Sequence, residues 1–337
     1  MTTRNDETRL NLLADIGGTN TRLALARGST LLGDSMRRYA NRDHDSLQSV
    51  LERYLRDIGQ PACAGACLAV AGPVRDGRAR MTNLNWEITR AQLAQITGAR
   101  NVAILNDLQA QGHALDSLGD DALRPLVPAA GGAALPRCGA PASRLVIGLG
   151  TGFNIAAVHP GANGCVVPPA EAGHARLPAP RPQDRDFAAS LHGEQGFAAI
   201  EDALSGPGLE RLFRWHERRA GRSRELDAAA IVAACAAGGS QSARAACDQF
   251  VRMLGQVAGD LALIHLPFGG IFLAGGVARA LAPQLETPAF RQAFCDRGRF
   301  SGFMEQFSLT LIRDDGAALA GCARHLAERA TPPCDRR

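Results

Sequence analysis

The apolar positions of this chain form short runs that stop at glycine-rich turns. Residues 10–27 read LNLLADIGGTNTRLALAR and residues 144–159 read RLVIGLGTGFNIAAVH, with an apolar run on either side of the glycines. Each pattern predicts two strands joined by a tight turn, and its repetition indicates a weak internal duplication. A third stretch, GGIFLAGGVARAL at residues 269–281, predicts a buried strand that ends at a glycine pair and leads into a helix.

Between these turns, apolar residues at helical spacing alternate with continuous apolar runs. Residues 43–58 place their apolar side chains on one helical face, whereas CAGACLAVAGPV at residues 63–74 is typical of a buried strand. Further helices are predicted at 88–98, from 107, at 227–237, at 243–266, from 316 and on both sides of a Gly-Pro break within 197–219, and further strands at 101–105 and 308–314. The alternation predicts an α/β fold throughout.

Length and composition are those of a two-domain globular protein. The chain has 337 residues, of which 46% are hydrophobic and 21% are charged. No apolar run reaches the length of a membrane span and the N-terminus is too polar for a signal peptide, so we expect a cytoplasmic protein without membrane partners. Nine scattered cysteines predict reduced thiols, and no cysteine pair has a zinc-site spacing, so no structural zinc is expected.

All 37 basic residues are arginines. The absence of lysine excludes the P-loop and protein-kinase designs, which place a lysine ammonium on the phosphates, and it also excludes Schiff-base chemistry. The net charge of +4 is spread along the chain without a basic stripe. The charge pattern therefore gives no support to nucleic-acid binding.

The first glycine turn combines a carboxylate with groups that suit a phosphate. Gly17 and Gly18 can expose backbone N–H groups beside the Thr19 hydroxyl. Asp15 has the wrong charge for a phosphate and makes sense beside one when a metal ion lies between them. An ordinary hairpin turn is the alternative for this stretch taken alone. Because three glycine turns follow predicted strands, a nucleotide held between two lobes becomes the favoured hypothesis.

Other polar residues follow predicted strands or lie on loops. Asp107 comes directly after the strand 101–105, where open α/β sheets bind ligands, but the same position suits a helix N-cap. Asn83 lies in a polar segment and is either a substrate ligand or a turn residue. Glu171 and His174 lie on a proline-rich loop, whose prolines argue against a helix, and form a candidate ligand site.

In their order and spacing these motifs resemble the bacterial ATP-dependent glucokinase family of the sugar kinase/actin/Hsp70 superfamily. The resemblance covers residues 10–326 and rests on LLADIGGTNTRLAL, AGPV, MTNLNW, ILND, GLGTG, EAGH, LSGPGLERLF, GGIFLAGGVA and LTLIRDDGAALAG. It implies a two-lobed, actin-like (ribonuclease H-like) α/β fold with ATP and sugar in the cleft between the lobes. The small lobe would comprise residues 1–110 and 316–337, and the large lobe residues 111–315.

The resemblance also implies a role for each motif residue. Asp107 would be the general base that takes the proton of the sugar 6-hydroxyl as this hydroxyl attacks the γ-phosphate of ATP. The sugar would be held by Asp107 together with Asn83, Asn106, Glu171, His174 and Glu201. The nucleotide would be bound by Ala14, Asp15, Ile16, Gly17, Gly18, Thr19, Asn20, Gly150, Thr151, Gly152, Gly275 and Gly276, with Asp15 holding Mg²⁺ through water. The expected enzyme is a homodimeric glucokinase that makes glucose 6-phosphate for glycolysis.

Two motifs depart from the family pattern. Ala172 replaces a glycine of the usual EGGH segment, and Phe153-Asn154 replace the usual Leu-Gly of the second phosphate motif. The added methyl group can shift the loop that carries Glu171 and His174. Asn154 is expected to preserve the turn because asparagine tolerates left-handed backbone conformations. The two changes bear on sugar preference and catalytic efficiency.

Two alternatives remain open at this point. The first is a kinase for fructose, mannose or an N-acetylated hexose, as in the related ROK family, but the cysteine-rich zinc motif of that family does not follow His174. The second is a catalytically weak sugar sensor that acts through a protein partner. The presence of both Asp15 and Asp107 argues against a sensor, because a protein that only binds sugar does not need both.

Overall fold

The computed structural model describes residues 9–81, 84–130, 142–162 and 164–330, and within them the chain forms two compact units. Unit 1 comprises the described residues of 1–118, 160–169 and 314–337, and unit 2 those of 119–159 and 170–313.

The strands are β1 (Leu10–Ile16), β2 (Asn20–Arg27), β3 (Thr30–Ala40), β4 (Cys63–Val70), β5 (Val74–Arg75), β6 (Arg78–Arg80), β7 (Glu87–Thr89), β8 (Asn101–Asn106), β9 (Leu123–Val127), β10 (Arg144–Leu149), β11 (Phe153–Gly161), β12 (Gly164–Val166), β13 (Ile271–Ala274) and β14 (Leu309–Ile312). The α-helices are α1 (Leu47–Asp57), α2 (Arg90–Thr97), α3 (Asp107–Ala114), α4 (Pro182–Gln195), α5 (Ile200–Ala203), α6 (Gly206–Arg219), α7 (Ala228–Ala236), α8 (Gln241–His265), α9 (Gly276–Ala280), α10 (Ala282–Leu285), α11 (Pro288–Cys295), α12 (Ser301–Met304) and α13 (Ala317–Ala330).

The two main sheets share one topology. The first has the strand order β3-β2-β1-β4-β8, and the second has the order β12-β11-β10-β13-β14-β9. In each sheet an antiparallel hairpin (β1 with β2, β10 with β11) is followed by two strands that run parallel to its first strand. Both predicted glycine hairpins are therefore confirmed, and the internal duplication is visible in the strand order. Strands β5, β6 and β7 form a separate small sheet.

The sheet of unit 1 is covered on both faces. Because successive side chains of a strand point to opposite faces, neighbouring residues of β1 enter different cores. Leu12 packs in the cluster that contains Val50 and Tyr54 of α1, whereas Leu13 packs in the cluster that contains Leu319 of α13. The C-terminal helix α13 is thus an integral part of unit 1, as the sequence predicts for the small lobe.

Helix ends follow local capping chemistry. The helix predicted at 43–58 begins at Leu47, because the Ser46 side chain accepts a hydrogen bond from the Ser49 N–H. The proline-rich segment does contain the start of a helix, contrary to expectation. Pro182 is at the first position of α4, where proline is tolerated because its missing N–H would have no intrahelical partner.

The bounds of unit 1 differ from those predicted for the small lobe. Residues 111–118 and 160–169, assigned to the large lobe from the sequence, lie in unit 1. The segment 160–169 is held there partly by its backbone, since the Val167 carbonyl accepts a 2.7 Å hydrogen bond from Gln109 Nε2. The functional division into lobes stays a prediction. None of the described helices has the length and hydropathy needed to cross a lipid bilayer.

Candidate active site

A buried residue, Asn41, fixes the first glycine turn, and no sequence motif predicted this role. The turn between β1 and β2 is closed by the Gly17 N–H, which donates to the Asn20 carbonyl at 3.0 Å. Asn41, which lies just after β3, donates from Nδ2 to the Gly17 carbonyl and accepts from the Thr21 hydroxyl. Its own N–H donates to the Thr19 carbonyl. Asn41 thus anchors the turn through hydrogen bonds to Gly17, Thr19 and Thr21.

The backbone of the glycine turns differs from the expected one in two respects. Gly17, Gly150 and Gly152 all have negative φ angles, so these positions do not use the left-handed conformation that glycine permits. The N–H groups of Gly17 and Gly150 are bonded within their own turns, the latter to the Gly152 carbonyl at 3.0 Å. The expectation of a bare N–H group at Gly17 is therefore wrong, and the Gly150 N–H is bonded in the same way.

Asp15 lies at the end of β1 in an environment that disfavours its charge. Burial raises the pKa of the Asp15 carboxyl to about 6, with Asp315 adding to the increase and Arg22 opposing it. The nearest guanidinium atom of Arg22 is 3.8 Å from Asp15 Oδ2, and Arg22 also donates to the Asp315 carbonyl at 2.6 Å. A poorly solvated carboxylate with a second carboxylate nearby is an all-oxygen donor set, which fits a hard cation such as Mg²⁺.

Asn106 and Asp107 are adjacent at the start of α3 but occupy different positions: Asn106 is the N-cap and Asp107 is the first helical residue. The Asn106 side chain is the N-cap: its Oδ1 accepts from the Leu108 N–H at 2.9 Å, and its Nδ2 donates to the Gly72 carbonyl at 3.2 Å. Asp107 is the first residue of the helix, is half-buried, and accepts from the Leu108 N–H through Oδ1. The N-cap alternative thus applies to Asn106, and Asp107 is placed beyond the carboxyl end of β8.

The Glu201 side chain, which lies on α5, makes a hydrogen bond to the end of the second glycine turn. Its Oε2 accepts a 2.8 Å hydrogen bond from the Phe153 N–H. A Cβ atom on Gly152 would overlap this carboxylate, so a larger residue there would displace the Glu201 side chain from its hydrogen bond. The predicted sugar ligand and the predicted phosphate turn are therefore parts of one local arrangement in unit 2.

The loop that carries Glu171 and His174 is held by Asn154. Asn154 lies in β11 with an ordinary backbone, so the turn before it forms as expected, but without a left-handed residue at this position. Its Nδ2 donates to the Ala170 carbonyl at 2.6 Å, and its Oδ1 accepts from the Ala172 N–H at 3.1 Å. The Ala172 methyl group packs against the core of unit 2. The two departures from the family pattern are thus in direct contact.

The charges of Glu171 and His174 on this loop and of Glu201 on α5 influence one another. Partial burial raises the pKa of Glu171, with Glu201 adding to the increase and His174 opposing it. Glu171 and His174 are exposed, whereas Gly173 between them is buried, and a Cβ atom there would overlap the Phe153 carbonyl. The Glu171 carboxylate and the His174 imidazole on this loop, with the Glu201 carboxylate on α5, can accept hydrogen bonds from and donate them to several hydroxyl groups.

The third glycine pair follows β13 as predicted. Gly275 has a φ of 100°, and a Cβ atom there would overlap the Leu149 carbonyl at the end of β10. Gly276 begins α9, and a Cβ atom on it would meet open space. Glycine is therefore obligatory at Gly275 for the fold, and the open space at Gly276 leaves room for a ligand near the backbone.

The predicted site residues are distributed over both units. Asn83 lies outside the described residues. Unit 1 carries Ala14, Asp15, Ile16, Gly17, Gly18, Thr19, Asn20, Asn106 and Asp107. Unit 2 carries Gly150, Thr151, Gly152, Glu171, His174, Glu201, Gly275 and Gly276.

Comparisons with known proteins identify the family of the chain. The family model described as Glucokinase matches residues 12–329. The chain is 33% identical to a glucokinase of Chromohalobacter salexigens over 319 residues, which is 95% of this chain and 98% of the relative. A glucokinase structure from an Antarctic psychrotroph is similar with a TM-score of 0.79 at 29% identity, covering 94% of this chain and 98% of that chain.

A glucokinase of Balamuthia mandrillaris in complex with glucose has a TM-score of 0.80 at 24% identity, over 95% of this chain and 93% of that chain. At that identity the likeness shows the fold alone. The family match spans nearly the whole chain, and the two-unit α/β architecture is that of the sugar kinases. The chain therefore belongs to the glucokinase family of enzymes.

Proposed function

We propose that the protein transfers the γ-phosphoryl group of ATP to the 6-hydroxyl of D-glucose, with Asp107 as the general base. The observation that carries this proposal is the position of Asp107 at the first turn of α3, where Asn106 provides the cap. Because Asn106 is the N-cap, Asp107 is the first residue of the helix, and its carboxylate lies beyond the end of β8, where α/β sheets bind ligands. The positive end of the helix dipole also stabilises its ionised form, which is the form that accepts a proton.

In the proposed reaction, a carboxylate oxygen of Asp107 accepts the proton of the 6-hydroxyl. The hydroxyl oxygen forms a bond to the γ-phosphorus while the bond between that phosphorus and the bridging oxygen breaks, and ADP leaves. Asn83, Asn106, Glu171, His174 and Glu201 would hold the sugar. Their mixture of amide, imidazole and carboxylate groups suits a neutral polyol, since hydroxyl groups both donate and accept.

The phosphates would be bound by the two hairpin turns, at Gly18 and Thr19 and at Thr151 and Gly152, and adenosine would lie near Gly276. Asp15 would hold Mg²⁺ through water, and Mg²⁺ supplies charge neutralisation at the phosphates when it is bound. In a chain without lysine, the remaining stabilisation must come from backbone dipoles and arginines.

The test is a coupled assay of ADP release with glucose, fructose, mannose and N-acetylglucosamine for the wild type and Asp107→Asn. We expect glucose to be the preferred substrate. We expect Asp107→Asn to lower kcat by at least about 100-fold, with little change in the Kd of glucose measured by calorimetry. Asp45→Asn, an exposed aspartate of unit 1, is the matched control and should keep full activity.

Near-normal turnover by Asp107→Asn would contradict the assignment of the base. Preferred turnover of another hexose would keep the mechanism and change the substrate. Glucose binding without turnover by the wild type would favour the sensor.

We also propose a cytoplasmic homodimer that serves glycolysis, on the basis of family membership and ATP dependence. The large apolar side chains that unit 2 exposes include Ile264, Phe268 and Phe300, which are exposed to 71%, 46% and 42%. Apolar surface of this kind is typical of subunit interfaces. Light scattering should give twice the mass of the chain for the wild type, and Ile264→Asp should give a monomer. A monomeric wild type would overturn this part of the proposal.

A further inference from the structure

Three metal-binding side chains from distant parts of the sequence meet within unit 1. His113 lies near the end of α3, Cys165 in β12 and Glu328 in α13. His113 Nδ1 is 3.3 Å from Cys165 Sγ and 3.3 Å from Glu328 Oε2. The three donor atoms all lie within 4.8 Å of one another. None of these residues has a role in the proposed kinase reaction.

The spacing of the donor atoms is that of a tetrahedral metal site. Zinc bonds of about 2.0 Å to nitrogen and oxygen and about 2.3 Å to sulfur place neighbouring donors about 3.3 to 3.5 Å apart at the tetrahedral angle. The two measured separations from His113 Nδ1 are 3.3 Å each. The third separation, between Cys165 Sγ and Glu328 Oε2, is at most 4.8 Å, so these two side chains need only close toward each other for the three donors to surround a divalent ion.

The surrounding side chains orient these donors. The other ring nitrogen of His113, Nε2, is 3.0 Å from His325 Nδ1. An unprotonated nitrogen of the His325 imidazole can accept a hydrogen bond from His113. When His113 Nε2–H donates to His325, the lone pair of His113 Nδ1 faces Cys165 and Glu328. This is the tautomer that a metal ligand requires.

Glu328 and the β12 segment are also held in place. Arg324 Nε donates to Glu328 Oε1 at 3.0 Å, which leaves Oε2 as the oxygen beside His113. Gly164 has a φ of 139°, and a Cβ atom on it would overlap the Glu328 carboxylate. Glycine at this position therefore lets the strand that carries Cys165 approach α13. The side chain of Glu328 is 15% exposed, so the cluster is reached from solvent.

We propose that His113, Cys165 and Glu328 bind one zinc ion, with a water molecule as the fourth ligand. Thiolate and imidazole donors favour zinc over magnesium or calcium. The Cys165 proton is released to solvent on binding, and the thiolate and the carboxylate balance the charge of the ion. The ion would join the segment 160–169 to α3 and α13. Cysteine spacing gave no indication of this site, because its ligands are far apart in the sequence: His113 and Cys165 are 52 positions apart.

The test is titration of the full-length, chelator-treated protein with Zn²⁺ and with Co²⁺. We expect one tight equivalent of metal, a rise in Tm with Zn²⁺, and thiolate-to-cobalt charge-transfer absorption. Cys165→Ser should abolish this absorption and weaken zinc binding by at least about 100-fold, and Glu328→Gln should weaken binding by a similar factor. His325→Phe, which removes only the outer hydrogen bond, should weaken binding by about 10- to 100-fold.

Cys295→Ser is the matched control, because Cys295 is a half-buried thiol of unit 2 outside the cluster. It should bind zinc and cobalt like the wild type. The proposal is overturned if the wild type takes up no metal at low micromolar concentration, or if Cys165→Ser and Cys295→Ser bind it equally. The three side chains would then form a metal-free hydrogen-bonded cluster. The readouts are independent of kinase activity.

Discussion

The negative charge of Asp15 is needed for the proposed chemistry but lowers the stability of the folded protein. Its folded-state pKa of about 6 lies above the ordinary value of 3.8, so the folded protein retains a proton that the unfolded chain has lost between these pH values. The free energy of unfolding therefore falls as the pH rises through this window, and the loss is complete above it. The carboxylate that would hold Mg²⁺ thus destabilises the protein at neutral pH.

Asp15→Asn should remove this penalty. We expect the variant to unfold with a free energy about 2 to 3 kcal/mol higher than the wild type at pH 8, and with little difference at pH 4. Urea unfolding at pH 4, 6 and 8 measures the effect, and kinase activity should be lost. A variant that is less stable than the wild type at pH 8 would show that Asp15 is stabilised by its neighbours.

Asn154 is expected to act as a positioning residue for the sugar loop. Asn154→Leu removes the hydrogen bonds to the Ala170 carbonyl and the Ala172 N–H. Because the loop then loses its attachment to β11, we expect the KM for glucose to rise by about tenfold, equivalent to the roughly 1.4 kcal/mol of one or two net hydrogen bonds. Steady-state kinetics with glucose measure the change.

Ala172→Gly is the matched control for this prediction. The bond from residue 172 to Asn154 involves a backbone N–H, so it survives the loss of the methyl group. The KM of Ala172→Gly should therefore stay within about threefold of the wild type, a difference below 1 kcal/mol. A larger effect of Ala172→Gly than of Asn154→Leu would show that the methyl group, and not the side-chain amide, fixes the loop.

At the scale of elements, the position of α3 depends on its close contact with α13. A Cβ atom on Gly321 of α13 would overlap the Ala110 carbonyl of α3. Gly321→Ala should therefore separate the two helices and lower the free energy of unfolding by about 1 to 3 kcal/mol, despite the better helix propensity of alanine. Thermal and urea unfolding measure the change.

The chain contains a matched glycine for comparison. Gly193 lies in α4, and a Cβ atom there would meet no other atom within 4 Å. Gly193→Ala should therefore raise the free energy of unfolding by up to about 1 kcal/mol. Equal effects of Gly193→Ala and Gly321→Ala would contradict the close helix packing as the cause.

At the scale of the whole molecule, each unit has a core of its own. Leu319 lies in a core of unit 1 and Leu212 in the core of unit 2, and both are fully buried. Each Leu→Ala change should lower the stability of its unit by about 2 to 5 kcal/mol. We expect differential scanning calorimetry to show two transitions, of which Leu319→Ala shifts one and Leu212→Ala the other. A shift of a single common transition by both variants would show that the units unfold together.

The local parts of this architecture follow from short stretches of sequence. The hairpins at 10–27 and 144–159, the strand before Gly275 and the place of Asp107 after β8 were all predictable, because period and turn residues act over a few positions. The start of α4 at Pro182 was missed because proline was taken as a helix breaker and not as a first helical residue. The contact of residues 160–169 with α3 could not be predicted, because no local pattern records it.

The local pattern and the motif order thus determine the fold class and the family, and they identify each candidate site residue separately. Their assembly depends on contacts between residues far apart in the chain: Glu201 on the Phe153 N–H, Asn154 on the loop at 170–172, and His113 beside Cys165. Such contacts are set by how whole elements pack around a core, and no single residue pattern records that packing. For the same reason the zinc site proposed here has no sequence signature, whereas the glycine turns do.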